Sequence, residues 1–335
     1  MRTKPYSVLV FAEERIAVGL AASMPRPCVR VRSFEELVLQ AKIRHNAVAF
    51  VGQAYLSHIS PSMVSIPLVA VLAETPRMLS ASVDLLAAYP WLAHTLASPL
   101  LTLPSATELL DQLLDRLIAS GARPVLGASG VGRIAMLADA SRRSERFGRM
   151  RDFFERHEVS DRTVTSIIEV AEELVMNSLY DAPFEAGYLK TIVPRTENIE
   201  LPQEHACEIS YGIEREQIFV RVRDTFGALT RRRLVEVLGR CNASSVKLDE
   251  TRGGAGLGLW RIFSAASSVS IRVSPRHVTD ILISISTQRG RAAKSLRAVD
   301  LSFGPEPAND ALDPAMLPSD LDMLDRSVTL LGGTI

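Results

Sequence analysis

The sequence predicts an α/β protein in two parts. The first part is a parallel sheet covered by helices on both faces. The second strings together a long amphipathic helix, a set of strands, a glycine-dense loop and a further helix. Two observations predict this. Over the first ~120 residues, short apolar runs alternate with segments of helical spacing, the order that builds a buried parallel sheet. From about residue 160 that alternation stops, and four glycines fall within six residues, Gly253-Gly254-Ala255-Gly256-Leu257-Gly258.

Taken in order, residues 7–11 (SVLVF) read as a buried strand, because the run is apolar without alternation. Residues 33–41 open with Ser33, a capping residue, and continue with helical apolar spacing. Residues 47–51 and 67–72 are the next two buried strands, 79–86 a helix, a short apolar run ends at Ser98-Pro99, and 107–120 close the part with a helix. This order and length resemble the receiver domain of two-component signalling. The resemblance is architectural, because the residues a receiver needs are missing. Gly52-Gln53 stand where the third strand should end in a phosphoacceptor aspartate, Ala73-Glu74 where a hydroxyl is expected, and Ser98 where a lysine is expected. The acidic pair after the first strand survives as Glu13 and Glu14. A pseudo-receiver serving interaction or dimerisation is one reading. A plain flavodoxin-like domain is the other.

The expected boundaries are a pseudo-receiver at 1–122, a linker and helix at 123–160, a nucleotide-binding domain at 161–290, and a partly disordered tail at 291–335 rich in Pro, Asp and Leu. Composition narrows the function classes. Lys+Arg and Asp+Glu both number 38, so no basic excess argues for nucleic acid or an anionic membrane. The local cluster Arg231-Arg232-Arg233 reads as a solvated helix face. No apolar run reaches the ~18 residues of a membrane span, and no signal peptide is expected at the start. Cys28, Cys207 and Cys241 form neither a disulfide framework nor a metal pattern, and read as reduced thiols in the cytoplasm.

The chemistry lies in four pieces. A helix over 162–180, capped by Ser160 or Asp161, buries Val164, Ile167, Ala171 and Val175 and lines up Glu169, Glu173, Asn177 and Asp181 at i+4. A carboxylate one turn from an amide can orient a hydroxyl near a phosphate, and the Asn oxygen is a hard ligand suited to Mg²⁺. The run 219–223 ends in Asp224, followed by Thr225-Phe226-Gly227. A carboxylate at a strand end can accept the exocyclic amine of adenine, and a strand before a tight turn is the plainer reading. In Arg252-Gly253-Gly254-Ala255-Gly256-Leu257-Gly258 the glycines allow close backbone approach to a ligand, and the loop feeds a helix whose first N–H groups favour an anion. No Gly-Lys-Ser/Thr follows, and the segment before the loop is polar, so neither a P-loop nor a dinucleotide fingerprint fits. Thr279 precedes a strand read over 280–285.

In this order the pieces resemble the four boxes of the GHKL superfamily of histidine kinases, anti-sigma serine kinases, gyrase-type ATPases and heat-shock chaperones, over about residues 160–290. The resemblance implies an α+β two-layer sandwich of Bergerat type that binds ATP and Mg²⁺. It implies that Asn177 holds the metal, Glu173 is the catalytic base, and Asp181 continues their stripe. Asp224 would bind the adenine amine with Thr279 beside it, and residues 253–258 would wrap the phosphates. The segment between Gly227 and Gly253 would be the ATP lid, with Lys247 or Arg252 reaching the phosphates. The aspartate box departs from D-x-G-x-G: Phe226 and Ala228 hold the glycine positions and Gly227 sits between them.

Because the asparagine helix opens the domain, the layout resembles the anti-sigma serine-kinase branch more than a histidine kinase. His157-Glu158 leaves hardly any room for a dimerisation helix pair. The expected protein is a cytoplasmic signalling homodimer with a regulatory protein partner. Phosphorylation of a partner serine, nucleotide-gated partner binding without turnover, a scaffold that no longer binds nucleotide, and an atypical histidine kinase are the readings left open.

Overall fold

The structure is a computed structural model that describes residues 7–44, 46–75, 77–102, 106–118, 130–214, 216–242, 257–287 and 296–304. The apolar runs of the first part form strands β1 (Ser7–Phe11), β2 (Cys28–Arg30), β3 (Ala47–Gly52), β4 (Leu68–Leu72) and β5 (His94–Ala97). They pair in parallel in the order β2-β1-β3-β4-β5. Helices α1 (Glu14–Ser23), α2 (Phe34–Ile43), α3 (Met78–Ala88) and α4 (Ala106–Ile118) connect and follow them. α1 and α4 bury Leu20, Leu110 and Leu114 against Val8, Val10 and Phe50 on one face. α2 and α3 bury Leu37, Val83 and Leu86 with Leu9, Val51 and Leu72 on the other. Both faces are covered, which is why the central strands β1, β3 and β4 are almost wholly apolar. Ser33 accepts from the Glu36 N–H and caps α2.

Gly52 ends β3. A β-carbon there would lie 2.2 Å from Glu13 Oε2, so the absence of a side chain makes room for the Glu13 carboxylate.

The second part adds β6 (Val131–Leu137), α5 (Arg143–Arg156), α6 (Asp161–Met176), a π-helical turn at Asn177–Asp181, α7 (Ala182–Glu185), β7 (Cys207–Glu214), β8 (Gln217–Asp224), α8 (Arg231–Asn242), α9 (Leu257–Ala265), β9 (Ser268–Ser274), β10 (Val278–Ser286) and β11 (Ala298–Phe303). The strands extend the first sheet, in the order β5-β11-β9-β10-β8-β7-β6. All the described residues belong to one compact unit, Met1–Gly304. One face of β7–β11 presents Ile209, Ile218, Val220, Val222, Ile271, Ile283 and Val299 to Leu174, Leu234 and Phe263 of the helices.

Several expectations change here. The stretch 123–160, expected as a linker and helix, contains the edge strand β6 and a helix whose Phe147, Met150, Phe153 and Phe154 are core residues. The charged run of α5 hid this, because its arginines and glutamates surround four apolar positions at helical spacing. The tail expected from 291 contains β11, which lies mid-sheet between β5 and β9. Its Val299 and Leu301 enter the core. Asp300, nearly buried on the opposite face, lies beside His94 and accepts from Ser270. Ser160 stands at the start of α6 but makes no side-chain cap; its hydroxyl bonds Thr163. The triple arginine is not wholly a solvated face. Arg231 donates to the carbonyls of Leu86 and Tyr89 at the end of α3, and only Arg232 of the three is exposed. Among the described residues, Cys28, Cys207 and Cys241 form no disulfide. Among the described residues, no helix is long and apolar enough to cross a membrane.

Candidate functional site

The helix-facing side of β8 is apolar up to its last residue. Ile218, Val220 and Val222 precede Asp224, which is 5% exposed. A carboxylate in that setting needs compensation. Two backbone donors supply part of it: the N–H groups of Phe226 (2.9 Å) and Gly227 (3.3 Å) both point to Asp224 Oδ1. Burial still dominates and pushes the carboxyl up to about 6, against the pull of these N–H groups and of Thr279. Thr279 pairs with Asp224 across β8 and β10 and shares its face. Its hydroxyl favours the charged carboxylate but makes no hydrogen bond of acceptable geometry, and it is a buried polar atom without a partner. Thr279 lies within β10, not ahead of it as the sequence suggested.

Gly227 follows at φ +57°, and a β-carbon there would stand 2.2 Å from the Ser274 carbonyl oxygen and 2.7 Å from the His277 nitrogen. The turn after Asp224 therefore packs backbone to backbone on the β9–β10 hairpin. This accounts for a glycine at position 227.

Above this end of the sheet, α6 runs into the π turn at Asn177–Asp181. Such turns interrupt the helical ladder and are frequent at functional sites. Glu173, Asn177 and Asp181 converge there, while Glu169 is exposed. What they converge on is a residue that the sequence did not single out. Arg195 donates from Nη1 to Glu173 Oε1 (3.0 Å), and from Nη2 to Asn177 Oδ1 (2.7 Å) and Asp181 Oδ2 (2.5 Å). Partial burial would lower the guanidinium, but the charges of Asp181 and Glu173 outweigh it and hold it above its ordinary value. Arg195 sits in segment 186–199, which has no periodic pattern to mark it. The segment is tied down at both ends. Tyr188 and Leu189 donate to the Pro183 carbonyl, and the Tyr188 ring packs on His205 and Phe226. Further along, Tyr180 donates to the Glu197 carbonyl and Arg143 to that of Arg195.

The helix α9 meets this cluster from the other side. A β-carbon on Gly258 would lie 1.9 Å from Glu173 Oε1, so the last glycine of the dense loop is where the Glu173 side chain rests. Of the segment expected as a lid, the first part contains α8, while residues 243–256, with Lys247, Arg252, Gly253, Gly254, Ala255 and Gly256, lie outside the described residues. Leu257 is described only as the first residue of α9. The described structure thus brings Glu173, Asn177, Asp181 and Gly258 together, and Asp224, Gly227 and Thr279 together. His157 ends α5 with its Nδ1 against the Phe153 carbonyl. Among the described residues, no three His, Cys, Asp or Glu side chains form a metal site.

No family model matches the chain, and neither does any curated protein. Among solved structures, the chain is similar to one described as the crystal structure of the SiaB–SiaC complex from Pseudomonas aeruginosa. The identity is 15%, the TM-score 0.32, and the match covers 46% of this chain and 88% of that chain. At that level the likeness decides nothing about fold or activity.

Proposed function

We propose that this chain is an ATP-binding signalling protein of GHKL type, with an N-terminal receiver-like domain that lacks its phosphoacceptor. The observation that carries the reading is the buried pair Asp224 and Thr279. They are polar groups at the end of an apolar sheet face, one a carboxylate raised by burial and the other a hydroxyl without a partner. An adenine amine donates to such a carboxylate and would restore its lost solvation. The parallel order β2-β1-β3-β4-β5 supports the receiver-like reading of the first part.

The oxygens of Asn177, Glu173 and Asp181 have the hard chemistry that Mg²⁺ takes, and Asn177 Oδ1 would be its protein ligand. Bound there, the ion would neutralise phosphate charge. Glu173 is the residue suited to accept a proton from an attacking hydroxyl. Its Oε1 already accepts from Arg195, so it must change partner first. This contact favours, as a second reading, a protein that binds nucleotide to set its affinity for a regulatory partner without turning it over.

Calorimetric titration of ATP with Mg²⁺ into the full chain tests the proposal. Saturable one-site binding is expected, lost in Asn177→Ala and Asp224→Ala and absent with GTP. No binding by the unaltered chain ends the reading. Phosphate release that disappears in Glu173→Ala while ATP still binds favours the kinase. No release from either protein favours the nucleotide-gated adaptor.

A further inference from the structure

The cluster on α6 has a cation of its own. Three oxygens on successive turns, Glu173 Oε1, Asn177 Oδ1 and Asp181 Oδ2, all accept from one guanidinium. The Asn177 oxygen is the atom the proposed function gives to Mg²⁺, and Arg195 Nη2 stands 2.7 Å from it. We infer that Arg195 is the resident cation of the Glu173–Asn177–Asp181 cluster and competes with a divalent metal for the Asn177 oxygen, so that metal loading requires segment 186–199 to release it.

Two cations cannot close on one amide oxygen in a half-buried site, because their repulsion there is poorly screened. The guanidinium has no freedom to share the site, since both terminal nitrogens are committed to the cluster. Release is a local event. The segment is anchored through Tyr188 at one end and through the carbonyls of Arg195 and Glu197 at the other, while Ile192 between them is 69% exposed. Only the Arg195 side chain has to leave. The device keeps the two carboxylates compensated without metal and makes metal affinity depend on where the Arg195 side chain lies.

This inference rests on the site proposed above but not on its nucleotide. Mn²⁺ alone is titrated into the full chain, with binding followed by electron paramagnetic resonance, for the unaltered protein, Arg195→Ala, Arg195→Gln and the double variant Arg195→Ala/Asn177→Ala. Coupling between two ligands of one site is commonly about 5- to 150-fold. Arg195→Ala and Arg195→Gln should therefore bind Mn²⁺ at least about tenfold more tightly, and the double variant should lose that gain. Circular dichroism shows that each variant is folded, and the glutamine covers the case in which alanine is not. Unchanged, weaker or undetectable Mn²⁺ binding in a folded Arg195 variant overturns the inference, as does a gain that survives the loss of Asn177. If ATP binds neither protein while the Mn²⁺ gain appears, the nucleotide reading falls and this one stands.

Discussion

Glu173 and Gly258 are in contact so close that any side chain at 258 would occupy the place of the Glu173 carboxylate, with 1.9 Å between the added β-carbon and Oε1. The obstructing atoms are the far end of a flexible side chain, so the cost of Gly258→Ala falls on the position of Glu173 more than on the fold. We expect unfolding stability to drop by about 1 kcal/mol or less, while Mg·ATP affinity or turnover falls clearly. Thermal unfolding and calorimetry on the same variant separate the two. An alanine variant that binds and turns over as before would mean that Glu173 has no functional need of this position.

Gly227 makes the opposite case. Its φ of +57° disfavours other residues, and the atoms in the way, Ser274 O and the nitrogens of Arg276 and His277, are backbone. Neither the turn nor the hairpin can yield cheaply. Gly227→Ala should cost on the order of 2–4 kcal/mol, read as a shift in the urea midpoint. A shift no larger than that of Gly258→Ala would contradict the backbone packing described here.

The carboxyl of Asp224, pushed up to about 6 by burial, sets a sign for pH dependence. Its value in the unfolded chain is near 3.8. Between these values the folded protein holds a proton that the unfolded chain has lost, so this residue makes stability fall as pH rises from about 4 to 6. Above about 6 the buried charge costs on the order of 2–3 kcal/mol. Asp224→Asn should therefore raise stability at about pH 7.5 and flatten the profile between about 4 and 6. It should also weaken ATP binding, since the amide lacks the charge that the adenine amine donates to. For the unaltered protein, ATP affinity should fall below a pH of about 6. If the Asp224→Asn protein is less stable than the parent above that pH, the N–H groups of Phe226 and Gly227 outweigh the burial.

Much of this was readable in the residues themselves. The runs at 7–11, 47–51 and 67–72 are strands because strands buried on both faces need nothing but apolar side chains. Glu173, Asn177 and Asp224 stood out through their order ahead of the glycine-dense loop, since each of them alone is a weak signal on an amphipathic helix or a strand end. What escaped the sequence has no period to read. Arg195 lies in a segment fixed by single contacts from Tyr180, Arg143 and Pro183, each set by tertiary structure. β6 has no apolar/polar alternation, and as an edge strand it exposes Val131, Ile134 and Met136, so its apolar residues mark no buried face. In β11, Asp300 interrupts a short apolar run. Its burial is explained only by His94, Ser270 and Arg272, which come from two other strands.

Arg231 tests whether the two parts of the sheet are joined by more than strand pairing. Its guanidinium donates to Leu86 O (2.9 Å) and Tyr89 O (3.3 Å), carbonyls at the end of α3, and partial burial lowers its pKa. A cation at a helix C-terminus gains from the unpaired carbonyls and from the helix dipole. Arg231→Met keeps most of the apolar stem and removes the donors, so the loss should be about 1–2 kcal/mol. Arg232→Met, at the exposed neighbour, should change stability by no more than about 0.5 kcal/mol. Because α8 begins at Arg231 and lies within the segment between Gly227 and Gly253 expected to form the lid, hydrogen exchange in α8 should rise in Arg231→Met, whereas in Arg232→Met it should not. Equal unfolding midpoints and equal exchange in the two variants would return the cluster to a solvated face.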